Sequence, residues 1–172
     1  GSHWNMAATI TPLIRHPHPA LMQALTRLED GESWLLQPKQ APKNPWLWSP
    51  GIKLGVKPGS FTHKTELFGP LLGVMRAENL QEAIHLANET SYGLTAGLHS
   101  LDEREHESWL KSMIAGNLYI NRTMTGAIVQ RQPFGGCKES SFGRGAKAGG
   151  PNYLMQLMDA EQVRLPGQQE NT

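Results

Sequence analysis

Only one cysteine, Cys137, occurs among the 172 residues, so no disulfide can form within the chain, and a reducing, cytoplasmic setting is the expectation. An excess of charge is missing too. Lys and Arg number 16 against 15 Asp and Glu, a formal net charge of +1, so nothing draws the chain toward a polyanion and nucleic acid is not an expected partner. No apolar run reaches bilayer-spanning length, and the residues after Trp4 lack the basic and apolar regions of a signal peptide. A soluble protein is expected. The P-loop pattern is absent from the glycine-rich stretch 135–150, and His16, His18, His63, His85, His99 and His106 have no Cys/His spacing that gathers four ligands, so neither a phosphate cradle nor a metal is expected. They read as surface histidines. What the chain does have is 18 glycines and 12 prolines, more than a compact domain ordinarily uses, which points to functional loops.

Gly1, Ser2 and His3 read as a cloning scar, residues 4–160 as one body that is part of a longer protein, and 161–172 as a flexible tail. Leu21, Leu25 and Leu28 at helical spacing, with Pro19 ahead of them, predict a short helix over Pro19–Leu28. Between Gly31 and Pro58 the aromatic and proline-rich pattern predicts loop with brief strands. Leu71–Met75 is a short apolar run, and Asn79 with Glu82 caps a helix whose apolar face is Leu80, Ala83, Ile84 and Ala87, with Gly93 as its terminator. Leu94–His99 follows as a strand. Ser100 with Glu103 opens the next helix, lined by Trp109, Leu110, Met113 and Ile114, and Asn117–Asn121 is a third strand. Strand, helix, strand, helix, strand with short links is the signature of an α/β fold built on a parallel sheet with crossover helices. In such sheets ligands gather at the carboxyl ends of strands, which singles out the segment from Arg122 to Pro151.

Single motifs stay ambiguous. In Glu66-Leu67-Phe68-Gly69-Pro70, a Glu before a Gly-Pro turn is commonly a solvated carboxylate, yet it could also accept two hydroxyl hydrogen bonds from one ribose while Phe68 covers an apolar ring face. Pro133-Phe134-Gly135-Gly136 alone is a turn.

Taken in order, Glu66–Pro70, Tyr92–Gly97, Gly116–Arg122 and Gln132–Gly136 resemble the C-terminal part of the aldehyde dehydrogenase superfamily. More narrowly, Thr125-Gly126-Ala127-Ile128-Val129 and Lys147–Tyr153 resemble the branch of delta-1-pyrroline-5-carboxylate dehydrogenases, alone or fused to proline dehydrogenase, which oxidise L-glutamate gamma-semialdehyde. The resemblance implies an aldehyde-dehydrogenase-like catalytic subdomain, truncated, and NAD as the parent enzyme's cofactor. Glu66 would accept hydrogen bonds from the nicotinamide ribose and Phe68 would pack near the nicotinamide. It implies that backbone NH groups at Gly126 and Ala127 anchor the substrate's alpha-carboxylate, with Thr125 offering a hydroxyl and Phe134 walling the aliphatic part. Some relatives carry Ser at the Ala127 position, so a side-chain hydrogen bond of about 1 kcal/mol is missing here.

The nucleophilic Cys, the general-base Glu, the oxyanion Asn and the dinucleotide fold of this family are all expected upstream of Trp4. Cys137, in a Gly-Cys-Lys setting, matches no part of the nucleophile motif and reads as an incidental loop thiol. The isolated chain is therefore expected to be inactive, with its parent a homo-oligomer acting on a small-molecule substrate. A non-catalytic aldehyde-dehydrogenase-like structural or oligomerisation module remains the alternative.

Overall fold

The computed structural model describes residues 11–125, 128, 131, 135–142 and 158. They fall into two units, 1–90 and 91–172.

In the first unit, helix α1 runs over Pro19–Thr26 because Pro19 supplies a helical φ where no NH is needed and His18, extended, caps the start by accepting from Leu21 N. Its buried face is Leu21, Ala24 and Leu25. Leu21 and Leu25 join Trp48 in the core, with Leu13, Met22, Leu67 and Leu71 packed around them. The helix ends two residues before the expected Leu28, which is exposed.

The proline-rich stretch holds four strands: β1 (Ser33–Leu36), β2 (Gln40–Ala41), β3 (Asn44–Trp48) and β4 (Gly51–Leu54). β2 and β3 form a hairpin, and β4 lies between antiparallel β1 and parallel β5 (Leu71–Val74). The central place of β4 buries Lys53 almost completely, at 1% exposure. Its Nζ donates to Glu32 Oε2 at 2.8 Å and to Thr62 Oγ1 at 3.2 Å, and sits 5.3 Å from the Trp34 ring centroid. Burial pushes the Glu32 carboxyl up, but the Glu29 amide and the Lys53 ammonium outweigh it, so the group stays below the usual glutamate range.

The link from β4 to β5 carries the one-turn helix α2 (Phe61–Lys64), capped by Ser60. Helix α3 (Leu80–Asn88) starts as expected, with Asn79 Oδ1 accepting from Glu82 N, while the Glu82 carboxylate takes the amide of Glu78. Two details differ from expectation. The buried residues are Ile84 and Leu86, with Ala83 and Ala87 exposed, and the helix closes at Glu89 in a right-handed conformation. Gly93 is instead a strand residue.

In the second unit, β6 (Tyr92–Gly93) pairs antiparallel with β9 (Cys137–Lys138). β7 (Thr95–Leu98) pairs parallel with β8 (Asn117–Ile120), joined by helix α4 (Glu103–Ser112), the expected crossover. The cap of α4 is Asp102, two residues beyond the expected Ser100. Asp102 accepts from Arg104 N and pairs with its guanidinium at 2.6 Å. That side-chain pairing first, and the Arg104 amide second, lower the Asp102 carboxyl to about 2. Ser100 serves the same turn differently, donating to the Glu105 carboxylate and accepting from Asp102 N. Trp109 and Tyr119 are buried; Met113 is the C-cap, and Ile114 lies beyond the helix, exposed.

Candidate functional site

The turn Glu66–Pro70 is held from both ends. Thr65 N donates to Phe61 O at the end of α2, and Pro70 O accepts from Gly51 N as the chain enters β5. Between them Leu67 faces the core, and its carbonyl oxygen lies 3.1 Å from His18 Nε2. With Leu67 turned in, its neighbours Glu66 and Phe68 are turned out to solvent. Phe68 is 81% exposed and has a φ of +48°, the left-handed region that non-glycine residues avoid. Its ring walls a cavity of about 280 Å³ that Leu13, Arg15, His16, His18 and Leu21 also line. Gly69 completes the turn: a Cβ there would run into the Leu21 methyl groups, so only glycine lets the turn lie on α1.

The chemistry available at this turn is hydrogen-bond acceptance by a solvent-facing carboxylate beside an aromatic face. The sequence singled out Glu66 and Phe68 and read His16 and His18 as surface residues; both line this cavity, His16 exposed as expected and His18 half-buried. The signal available was His18 directly before Pro19, a polar residue at a helix start.

In the second unit the chain leaves β8 through Asn121, also left-handed at φ +52°. Its side chain donates to Ser100 O at 2.7 Å and accepts from Ser100 N at 3.0 Å, while its own amide donates to Leu98 O. The exit from β8 is thus clamped to the exit from β7. Arg122 then stacks 5.0 Å from the Tyr119 ring centroid, and Thr125 is exposed. Gly126, Ala127 and Phe134 lie outside the described residues.

The glycine segment 135–142 is fastened to β6. Asn117, buried, donates to Gly135 O, Gly93 N donates to Ser140 Oγ, and Cys137 Sγ donates to Gly93 O at 3.3 Å. A Cβ on Gly116 would strike Gly135 O. Cys137 is half-buried and occupied in this contact. Among the described residues, no three His, Cys, Asp or Glu side chains gather as a metal site, and no helix is long and apolar enough to cross a membrane.

Comparison with known proteins places the chain among one family of enzymes. A solved structure of proline utilization A from Corynebacterium freiburgense is 54% identical, with a TM-score of 0.81, covering 90% of this chain and 17% of that one. The 1-pyrroline-5-carboxylate dehydrogenase from Thermus, solved with bound NAD, is 34% identical with a TM-score of 0.72, covering 84% of this chain and 28% of that one. The 1-pyrroline-5-carboxylate dehydrogenase of Staphylococcus haemolyticus is 39% identical over 117 residues, 66% of this chain and 22% of its relative. The chain thus spans about a fifth of the length of such relatives. The model of the aldehyde dehydrogenase family matches residues 1–163, nearly the whole sequence. Glu66, Phe68 and the clamped exit of β8 are features of a chain that belongs to the aldehyde dehydrogenase family.

Proposed function

We propose that this chain is part of an NAD-dependent dehydrogenase that oxidises L-glutamate gamma-semialdehyde to L-glutamate in proline catabolism. The observation that carries the reading is the turn in which Leu67 is anchored while Glu66 and Phe68 face outward. The relatives named for proline utilization and 1-pyrroline-5-carboxylate oxidation support the choice of substrate.

NAD, when bound, supplies the acceptor for the hydride that leaves the aldehyde carbon. Glu66 takes hydrogen bonds from the nicotinamide ribose and Phe68 packs beside the nicotinamide, so this chain orients the cofactor's reactive half. Thr125 and the backbone amides of Gly126 and Ala127 hold the substrate's carboxylate, and Phe134 walls its aliphatic part. This chain supplies no nucleophile: Cys137 is engaged with Gly93 O, and its Gly-Cys-Lys setting lacks the family's motif. Turnover therefore depends on a cysteine outside these 172 residues, and the isolated chain is inactive.

The parent works as a homo-oligomer, and the exposed Leu35, Leu36 and Trp46 give the first unit an apolar surface suited to burial. The single cysteine suits a reducing, cytoplasmic compartment.

The test is substrate discrimination by the full-length enzyme. A site built to hold a carboxylate should give glutamate gamma-semialdehyde a kcat/KM roughly 100-fold or more above that of pentanal, which lacks one. Equal values overturn the substrate assignment. The same site leaves room for Ala127→Ser to improve kcat/KM by about fivefold, the equivalent of one added hydrogen bond.

A further inference from the structure

Among the unassigned polar groups of the first unit, the His18 ring has two committed partners and a location that matters. Nδ1 lies 3.3 Å from Leu21 N, and Nε2 lies 3.1 Å from Leu67 O. A backbone NH can only donate, so Nδ1 must carry a lone pair. A carbonyl can only accept, so Nε2 must carry the proton. The two contacts therefore select one neutral tautomer out of the ring's three protonation states. They also tie the first turn of α1 to the residue between Glu66 and Phe68, across 49 positions of sequence.

We propose that His18 is a positioning residue for the cofactor-binding turn, its neutral Nε2–H tautomer fixing the Leu67 peptide so that Glu66 and Phe68 present their side chains together. The inference rests on the reading of those two residues as nicotinamide contacts. Phe68 sits in a backbone region that relaxes unless its neighbours hold it. Pro70 O is tied to Gly51 N on one side and Thr65 N to Phe61 O on the other, and His18 supplies a tether between these ends, next to the strained residue. Leu21, one turn along the same helix, presses on Gly69. One helix start thus touches the turn on both sides of Phe68. The link would have little reason to use histidine if it served only as a cap, because Ser, Asp or Asn does that task at least as well.

The ring state and the kinetic role are tested separately. In the 172-residue chain labelled with 15N-histidine, long-range proton–nitrogen correlations should show His18 as the neutral Nε2–H tautomer at neutral pH. The Nδ1–H tautomer, or rapid averaging of the two, overturns the proposal. In the full-length dehydrogenase, His18→Asn keeps a side-chain acceptor for Leu21 N but is too short to reach Leu67. It should leave the thermal midpoint and the KM for aldehyde near their original values and lower kcat about tenfold, whereas His18→Gln, one bond longer, recovers most of the loss. A role in capping alone predicts the reverse, with Asn as good as His. Unchanged kcat in His18→Asn, alongside impaired Glu66→Gln and Phe68→Ala, overturns the proposal and leaves the cofactor reading standing. Unchanged kcat in Glu66→Gln and Phe68→Ala overturns both.

Discussion

Phe68 concentrates the conflict between folding and function into one residue. Its left-handed backbone costs on the order of 1 kcal/mol relative to glycine, and its exposed ring recovers little by packing. Phe68→Gly should therefore stabilise the chain by about 1 kcal/mol in urea unfolding, while removing the ring that the proposed function sets beside the nicotinamide. A loss of stability would mean that the ring packs in solution. Residues 66–70 were readable as a motif, but the reason for glycine at 69 was not, since it lies in the Leu21 side chain on α1, far away in sequence. The conformation of Phe68 was not readable, because nothing in Leu-Phe-Gly-Pro distinguishes a left-handed Phe from an ordinary turn residue. His18 was passed over for a related reason: its partner Leu67 is 49 residues away, and no spacing rule joins them.

Among the elements, β4 is the one whose stability depends most on charge. Lys53 and Glu32 have side chains only 1% exposed, and Glu32 Oε1 has no partner among the described residues. Removing one charge strands the other, so Lys53→Met should cost about 3–5 kcal/mol in urea unfolding, and adding Glu32→Leu should recover most of that. A similar cost in the double variant would show that the pair contributes more than mutual neutralisation. Helix α4 offers a titration in place of a deletion. The Asp102 carboxyl falls from an ordinary value of about 3.9 to about 2 on folding, so its contribution is complete above the ordinary value and lost as pH drops through the folded one. Carbon-13 titration of the chain should give Asp102 a midpoint about two units below a free aspartate, and Arg104→Ala should move it most of the way back. Where a helix signal was local, as at Pro19 and Asn79, the sequence located the start. At α4 two good caps, Ser100 and Asp102, stand two residues apart; Asp102 takes the Arg104 amide and guanidinium, while Ser100 is held by Asn121, Glu105 and Asp102 N. Brief strands were expected in the stretch that Pro38, Pro45 and Pro50 punctuate, but the sheet of β1, β4 and β5 was not, because its pairings join distant segments.

For the chain as a whole, ordered motifs identified a family that its matching model and solved relatives bear out. They did so because the turn at Glu66–Pro70 and the strand exits carry enough backbone constraint to be legible alone. Gly69 packs against Leu21, Gly116 lies against the Gly135 backbone, and Asn121 both donates to and accepts from Ser100. The proposed substrate anchor at Gly126 and Ala127 rests on resemblance, since amides that bind an anion leave no side-chain signature. The most direct measurement is NADH formation from glutamate gamma-semialdehyde by the full-length enzyme carrying Glu66→Ala. With the protein still folded, kcat should fall about 100-fold as the nicotinamide loses its orientation. An unchanged kcat would contradict it.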